Sequence, residues 1–373
     1  MKSIFKKVAG LALTAGLSIL GMASCSLESE NNHTFASENN HTFASEWTSD
    51  ATHHWHAATC GHTDQVKDKN EHIFGEWVTI LEPTGEAEGT KEKECSVCGY
   101  KATEVIEKLK YIRLDENYVK VAGVTITGSE TWIPKSYIFV SGKQLTIPTL
   151  IVCDHEVTRG EFKEIMQKDL STAKAYDKNG KELTGDEVLN NPVNRVNWYI
   201  AITYCNKKSI AENLTPCYSV DGVTDWAELA FESIPTRKNT AWNEATCNFE
   251  ADGYRLPTAA EWEWLARGGE HCTYAGSDIL DEVAWYNAEG TIEVKTKKAN
   301  GYGLYDMSGN VSEWCWDWAK SISSGYQDGT RVQRGDDWSS WGGKCEVYNC
   351  SEYPPYNYDN RRGFRVVRTA KNN

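Results

Sequence analysis

Asn300-Gly301-Tyr302-Gly303-Leu304-Tyr305-Asp306-Met307-Ser308-Gly309-Asn310-Val311-Ser312-Glu313-Trp314-Cys315-Trp316-Asp317-Trp318 is the stretch that decides how the chain is read. Gly301, Gly303, Gly309 and Asn310 break up a run crowded with large aromatics, a mixture that neither helix nor strand propensity selects. Glycine supplies positive φ or room for close backbone approach, and the tryptophans must be buried around such turns. Asn310 and Glu313 put an amide oxygen and a carboxylate close together on a tight turn, a donor pair suited to a hard cation such as calcium. The same spacing also reads as a capped turn carrying a solvated acid.

Three further stretches line up with this one. They are Asp154-His155-Glu156-Val157-Thr158, Tyr254-Arg255-Leu256-Pro257-Thr258-Ala259-Ala260-Glu261-Trp262-Glu263, and the closing Gly363-Phe364-Arg365-Val366-Val367-Arg368. In this order the four resemble the formylglycine-generating enzyme (sulfatase-modifying factor) family over about residues 126–370. The resemblance implies a single irregular α+β domain of C-type-lectin type, poor in regular structure and often calcium-bound. It places the family's calcium turn on Asn310 and Glu313, with the backbone oxygen of Val311 completing the shell, and a second such site at Asn287.

At 373 residues the chain has room for one large domain and a smaller one. A net charge of −14 argues against a nucleic-acid partner, which would need clustered Lys and Arg. Fifteen tryptophans and eighteen tyrosines favour an aromatic-rich fold with binding surfaces. After residue 25 no apolar run is long enough to span a membrane as a helix.

Lys2, Lys6 and Lys7 precede an apolar core from Val8 to Met22, the pattern of a secretory signal peptide over residues 1–24. Met22-Ala23-Ser24-Cys25 resembles a bacterial lipobox, so Cys25 is expected to be the lipidated first residue of an exported protein held on a membrane, the outer membrane and the cell surface being the expected address. Export permits disulfides. Of twelve cysteines, eleven remain without Cys25, an odd number, and Cys217 with Cys247 flank one insertion and are expected to bridge.

Residues 25–46 read as a polar tether. Ser29 to Ala36 recurs unchanged as Ser37 to Ala44, and nothing in this octapeptide carries enough apolar surface to fold. Residues 47–108 read as a small Cys/His module containing His53-His54-Trp55-His56, Cys60-Gly61-His62, His72 and Cys95-Ser96-Val97-Cys98-Gly99. Cys-x-x-Cys followed by glycine suits a zinc knuckle, and Cys60 and His62 (or His56) with Cys95 and Cys98 would complete a tetrahedral site. Disulfide pairing among the three cysteines is the competing reading. Trp47, Trp55, Phe74 and Trp77 would supply its core, with strands over 78–80 and 102–106.

After a connector at 109–125, the domain at 126–370 opens with Trp132-Ile133-Pro134, a strand over 137–140 and another over 146–152. Thr158 with Glu161 forms a capping box before a helix expected over 159–168. Apolar spacing predicts a second helix over 199–212, and Pro257-Thr258 a third over 259–268. His155, standing just before the first helix, is expected to be structural.

Authentic enzymes of the resembled family oxidise a client cysteine with oxygen and a copper ion held by two thiolates. Those thiolates stand two and seven residues after an aromatic that here matches Trp338, which gives Ser340 and Cys345. A hydroxyl replaces one soft sulfur, so no copper is expected. Residues 336–360 instead mix Tyr with Ser, Asn, Asp and Gly, as a paratope does. The segment resembles the variable region of retroelement-diversified proteins of C-type-lectin fold. The favoured reading is a displayed receptor that contacts a protein or glycan through Asp336, Asp337, Ser339, Ser340, Tyr348, Asn349, Ser351, Tyr353, Tyr356 and Tyr358; the alternative is a copper-dependent oxidase that uses Cys345.

Overall fold

The computed structural model describes residues 41–60, 64–81, 83, 87–129, 136–323, 325 and 327–371. Cys25, His62 and Trp132-Ile133-Pro134 lie outside them. The chain separates into two compact units. One takes in the chain through Ile73 plus Cys95–Tyr100, and the other takes in Phe74–Glu94 plus Lys101–Asn373. The segment 47–108 is therefore shared between them.

In the first unit, Thr48–Ser49, His53–Ala57 and Val66–Glu71 form a three-stranded antiparallel sheet. The tether is shorter than expected, because Thr42 and Ala44 already exchange backbone hydrogen bonds with Ala57 and Thr59. The expected aromatic core is not there. Trp47 stacks on His56 at 4.0 Å and sets its edge against His54, and Trp55 lies under Lys69. Phe74 and Trp77 belong to the second unit and lie under lysine ammonium groups, Lys93 at 4.4 and 4.8 Å.

The second unit begins with a three-stranded sheet of Val78–Leu81, Gly89–Glu94 and Lys101–Ile106. Its main body is built on two four-stranded sheets. In one, Tyr111–Arg113, Tyr118–Val121, Leu150–Cys153 and Val367–Thr369 lie side by side, which joins the start of the domain to its end. The expected strand over 146–152 divides at Pro148 into Gln144–Ile147 and Leu150–Cys153, since proline cannot donate to a ladder. No strand forms over 137–140: the Ser136 hydroxyl accepts from the N–H groups of Ile138 and Phe139 and turns the chain instead.

Three helices fall where their caps put them. Arg159–Met166 starts at Thr158 with both halves of its capping box made, and it stops two residues earlier than expected because Gln167 adopts the left-handed conformation. Trp198–Ala211 is capped by the Asn197 side chain, which accepts from Ile200 N–H. Ala259–Arg267 runs from the Thr258 box to Gly268, whose φ of 60° ends it. The first two helices bury Phe162, Trp198, Tyr199 and Tyr204 in a cluster closed by Trp314 and Phe364. The third buries Trp262 and Leu265 in a second cluster with Val119, Val152, Val332 and Val367.

The opening stretch lies at the centre. Ser312–Trp318 runs between Arg331–Arg334 and the short parallel strand Arg362–Gly363, and Cys350–Tyr353 forms the outer edge of this second sheet. Asn300 ties the turn to the third helix: its amide donates to Leu265 O and Ala266 O, and its oxygen accepts from Tyr302 and Leu304 N–H. Gly309 has φ 84°, and an added Cβ would stand 2.3 Å from Trp285 O.

Candidate functional site

The calcium turn is satisfied by the protein itself. Glu313 is fully buried, and its two oxygens meet Arg365 at 2.6 and 2.7 Å while Trp262 Nε1 donates to one of them. The Asn310 oxygen accepts from Ile292 N–H, and its amide donates to Glu156 and Ile292 O. Val311 N–H also donates to Glu156. A calcium shell needs several oxygens facing one point, and here the two side-chain donors are taken by a guanidinium and by backbone. The residues do not fit calcium, a correction to the expectation from spacing. Asn287 contributes backbone: at φ 45° its N–H donates to Ser340 O.

That interior holds up the segment after Arg331–Arg334. Arg334 pairs with Glu263 at 2.8 Å and donates to Val347 O, Tyr348 O and Asn349 O. Gly335 and Asp336, both at positive φ, turn the chain outward. Backbone bonds then tie it down: Trp338 N–H to Asn310 O, Ala288 N–H to Trp338 O and Val347 N–H to Thr273 O.

The residues named for ligand contact divide by role. Asp337 is 6% exposed, and its carboxylate accepts from the N–H and hydroxyl of Ser339, so it builds the loop and presents nothing outward. Asp336 likewise accepts from the Ser340 hydroxyl and from Asp337 N–H, and burial raises its pKa. The Asn349 amide closes the loop onto Gly343 O and Lys344 O. Ser339 is exposed, and Tyr348 is half-buried with its ring 5.5 Å from Tyr137. Ser351 pairs with Gln333 in the edge strand, and Arg362 stacks at 3.6 Å on Tyr353. Tyr356 and Tyr358 pack against the first apolar cluster and keep part of each ring outside.

Composition did not point to Trp341, which is 67% exposed on this loop, or to Tyr137, 54% exposed beside Tyr348. A large ring between Ser340 and Gly342-Gly343, where turn formers dominate, is the signal that could have found the first.

Cys345 is buried under the loop. Burial and the neighbouring Asp336 and Asp337 push its thiol up to about 12. With the Ser340 hydroxyl donated to Asp336, this position offers no thiolate pair and does not fit Cu(I). The Cys217–Cys247 bridge is absent too: both are free thiols, and Cys217 Sγ donates to Gly253 O.

The Cys/His cluster differs from its expectation. His54, His72, Cys95 and Cys98 bring their ligand atoms within 4.8 Å of one another. Cys60 stands apart, 3.2 Å from His41 Nδ1. A second group lies along a cleft of about 470 Å³ lined by residues that include Asn117, His155, Thr158, Glu161 and Lys295. His155 is held there by Asp154 at 2.6 Å and Glu161 at 3.5 Å.

Residues 110–370 match the sulfatase-modifying factor enzyme 1-like domain, and the chain belongs to that family. It is 35% identical over 252 residues to chaperone protein LppX of Paenibacillus barcinonensis, covering 61% of this chain and 83% of that protein. The formylglycine-generating enzyme of Thermomonospora curvata is 36% identical over 109 residues, 23% of this chain and 36% of the enzyme. Among solved structures, Treponema denticola variable protein 1 superposes with a TM-score of 0.59 at 33% identity, over 70% of this chain and 99% of its own. CarF gives 0.51 at 26%, over 69% and 100%. The α+β formylglycine-generating-enzyme-like fold is thereby shown.

Proposed function

We propose that this protein is an exported, lipid-anchored binding protein that contacts a protein or glycan through the 336–360 face of its formylglycine-generating-enzyme-like domain. The observation that carries the reading is Trp341, an exposed indole on a loop whose neighbours are tied by backbone and carboxylate bonds. A pre-ordered aromatic anchor binds without a large ordering cost; Ser339, two residues before it, and the Tyr348–Tyr137 ring pair would supply adaptable contacts. The likeness to Treponema denticola variable protein 1 supports a surface whose side chains can be exchanged while the scaffold stays. Asp336, Asp337 and Asn349 would then set the loop's shape, with Ser340 bonded inside it and Ser351, Tyr353, Tyr356 and Tyr358 forming its flank. The signal peptide and Cys25 support the anchor, and no described helix is long and apolar enough to cross a membrane.

The oxidase alternative is disfavoured by the high thiol pKa at Cys345 and the hydroxyl at Ser340. The test is a panel of glycans and extracellular proteins probed with the intact chain and with a Ser339→Ala/Trp341→Ala/Tyr348→Ala variant. Reproducible hits lost in the variant at unchanged thermal stability support the reading. Hits that survive the triple substitution, or a panel without hits, count against it.

A further inference from the structure

We infer that His54, His72, Cys95 and Cys98 form a mononuclear zinc site that closes the amino-terminal unit. Two of the ligands come from the sheet: His54 in the strand His53–Ala57, and His72 immediately after the strand Val66–Glu71. The pairing of His54 with Asn70 brings these two segments of the sheet together. The other two come from a knuckle in which Cys95 N–H donates to Tyr100 O, Gly99 N–H donates to Cys95 O, and Gly99 takes φ 71°.

The spacing suits the metal. Tetrahedral zinc with Zn–S of ~2.3 Å and Zn–N of ~2.05 Å sets sulfur and nitrogen ligands ~3.6 Å apart. Cys98 Sγ lies 3.4 Å from His72 Nδ1, and Cys95 Sγ lies 4.0 Å from His54 Nδ1. His72 Nε2 sits 2.8 Å from Asp50 O, so that nitrogen carries the proton and Nδ1 is left to face the metal, the outer contact that fixes a ligating histidine. Tyr100 stacks on the His72 ring at 4.6 Å, and Trp47 sets its edge against His54.

Apolar burial adds little cohesion among the described residues of this unit. Among its described residues the only buried hydrophobic side chain is Cys95, and the buried polar one is His54. A segment this small without an apolar core needs a cross-link or a metal to hold ordered strands. Zinc bound by Cys95 and Cys98 as thiolates, with their two protons released to solvent, supplies four bonds between the sheet and the knuckle. Cys60 takes no part.

The test uses the full chain, loaded with zinc under reducing conditions and freed of excess metal. Elemental analysis is expected to find one zinc per chain in the wild type and in Cys60→Ser, and less than about a tenth as much in Cys95→Ser/Cys98→Ser. Cobalt(II) replacement in the wild-type chain keeps the proposal open to refutation if that double variant fails to fold. Tetrahedral d–d bands with thiolate charge transfer are expected, and octahedral bands would overturn the assignment. Equal zinc in the double variant, no zinc in the wild type, loss of zinc in Cys60→Ser, or a Cys95–Cys98 disulfide in protein isolated from cells would also overturn it.

Discussion

Glu313 and Arg365, fifty-two residues apart, form a two-point ion pair in the interior, with Arg365 Nη2 2.6 Å and Nε 2.7 Å from the two carboxylate oxygens. Both side chains are fully buried. Removing one partner leaves an uncompensated charge, so Glu313→Gln is expected to cost about 3–5 kcal/mol of stability, and Glu313→Gln/Arg365→Met less than the sum of its single changes. Because this pair occupies the supposed calcium position, adding a calcium-selective chelator should leave the melting of the large unit unchanged. Paired melts by circular dichroism measure both effects.

Gly309 is expected to tolerate no side chain. At φ 84°, with Trp285 O 2.3 Å from a built Cβ, Gly309→Ala combines backbone strain with a clash against main chain. Soluble expression should fall sharply, whereas Gly180→Ala, where a Cβ meets nothing within 4 Å, should cost only the strain of its φ of 82°. Comparing the two by denaturant unfolding separates collision from strain.

The pH dependence of stability should run against the usual acid sensitivity between about pH 4 and 6. Burial is the main cause that raises the Asp306 carboxyl to about 6, and one of its oxygens has no hydrogen-bond partner. Glu156 is also raised well above its ordinary value, by burial and then by Asp306 and Glu313. A carboxyl whose pKa is higher folded than unfolded binds more protons in the folded state, so this contribution grows as pH falls from 7 towards 4. His155, raised by Cys153, Asp154 and Glu161 against the opposing effect of its burial, acts in the same sense and loses its contribution as pH rises through its folded value. Denaturant midpoints at pH 7 and 5 should favour pH 5, and Asp306→Asn should flatten the difference.

Cys345 should behave as a buried thiol and not as a metal ligand. With its pKa near 12, raised by burial and by Asp336 and Asp337, it is expected to resist alkylation in the folded protein and react once denaturant is added. Cu(I) competition titrations should give the same result for the wild type and Cys345→Ala. Tight copper binding lost in that variant would restore the oxidase reading.

Local signals in the sequence carried the helices, because capping is local: Thr158, Asn197 and Thr258 each sit beside the backbone groups they satisfy. The family stretches gave the fold class for the same reason, each being a short run with its own shape. What stayed illegible depends on partners far along the chain. Glu156 reaches Asn310 and Arg365 reaches Glu313, so a turn that reads as a cation site is filled by residues its own spacing cannot show. The Cys95 and Cys98 pair is legible as a knuckle, but that His54 and His72 gather beside it while Cys60 does not follows from strand register. Within 336–360, composition separated polar from aromatic residues without showing which way each pointed. Asp337 turns inward, and Trp341 points out.

The most direct measurement is backbone hydrogen exchange across the intact protein with and without a ligand found on the glycan and protein panel. Slowed exchange confined to about residues 339–349 and the adjoining 350–358 is the predicted result. Protection centred instead on the cleft at Asn117, His155, Glu161 and Lys295, with 339–349 unchanged, would contradict the account.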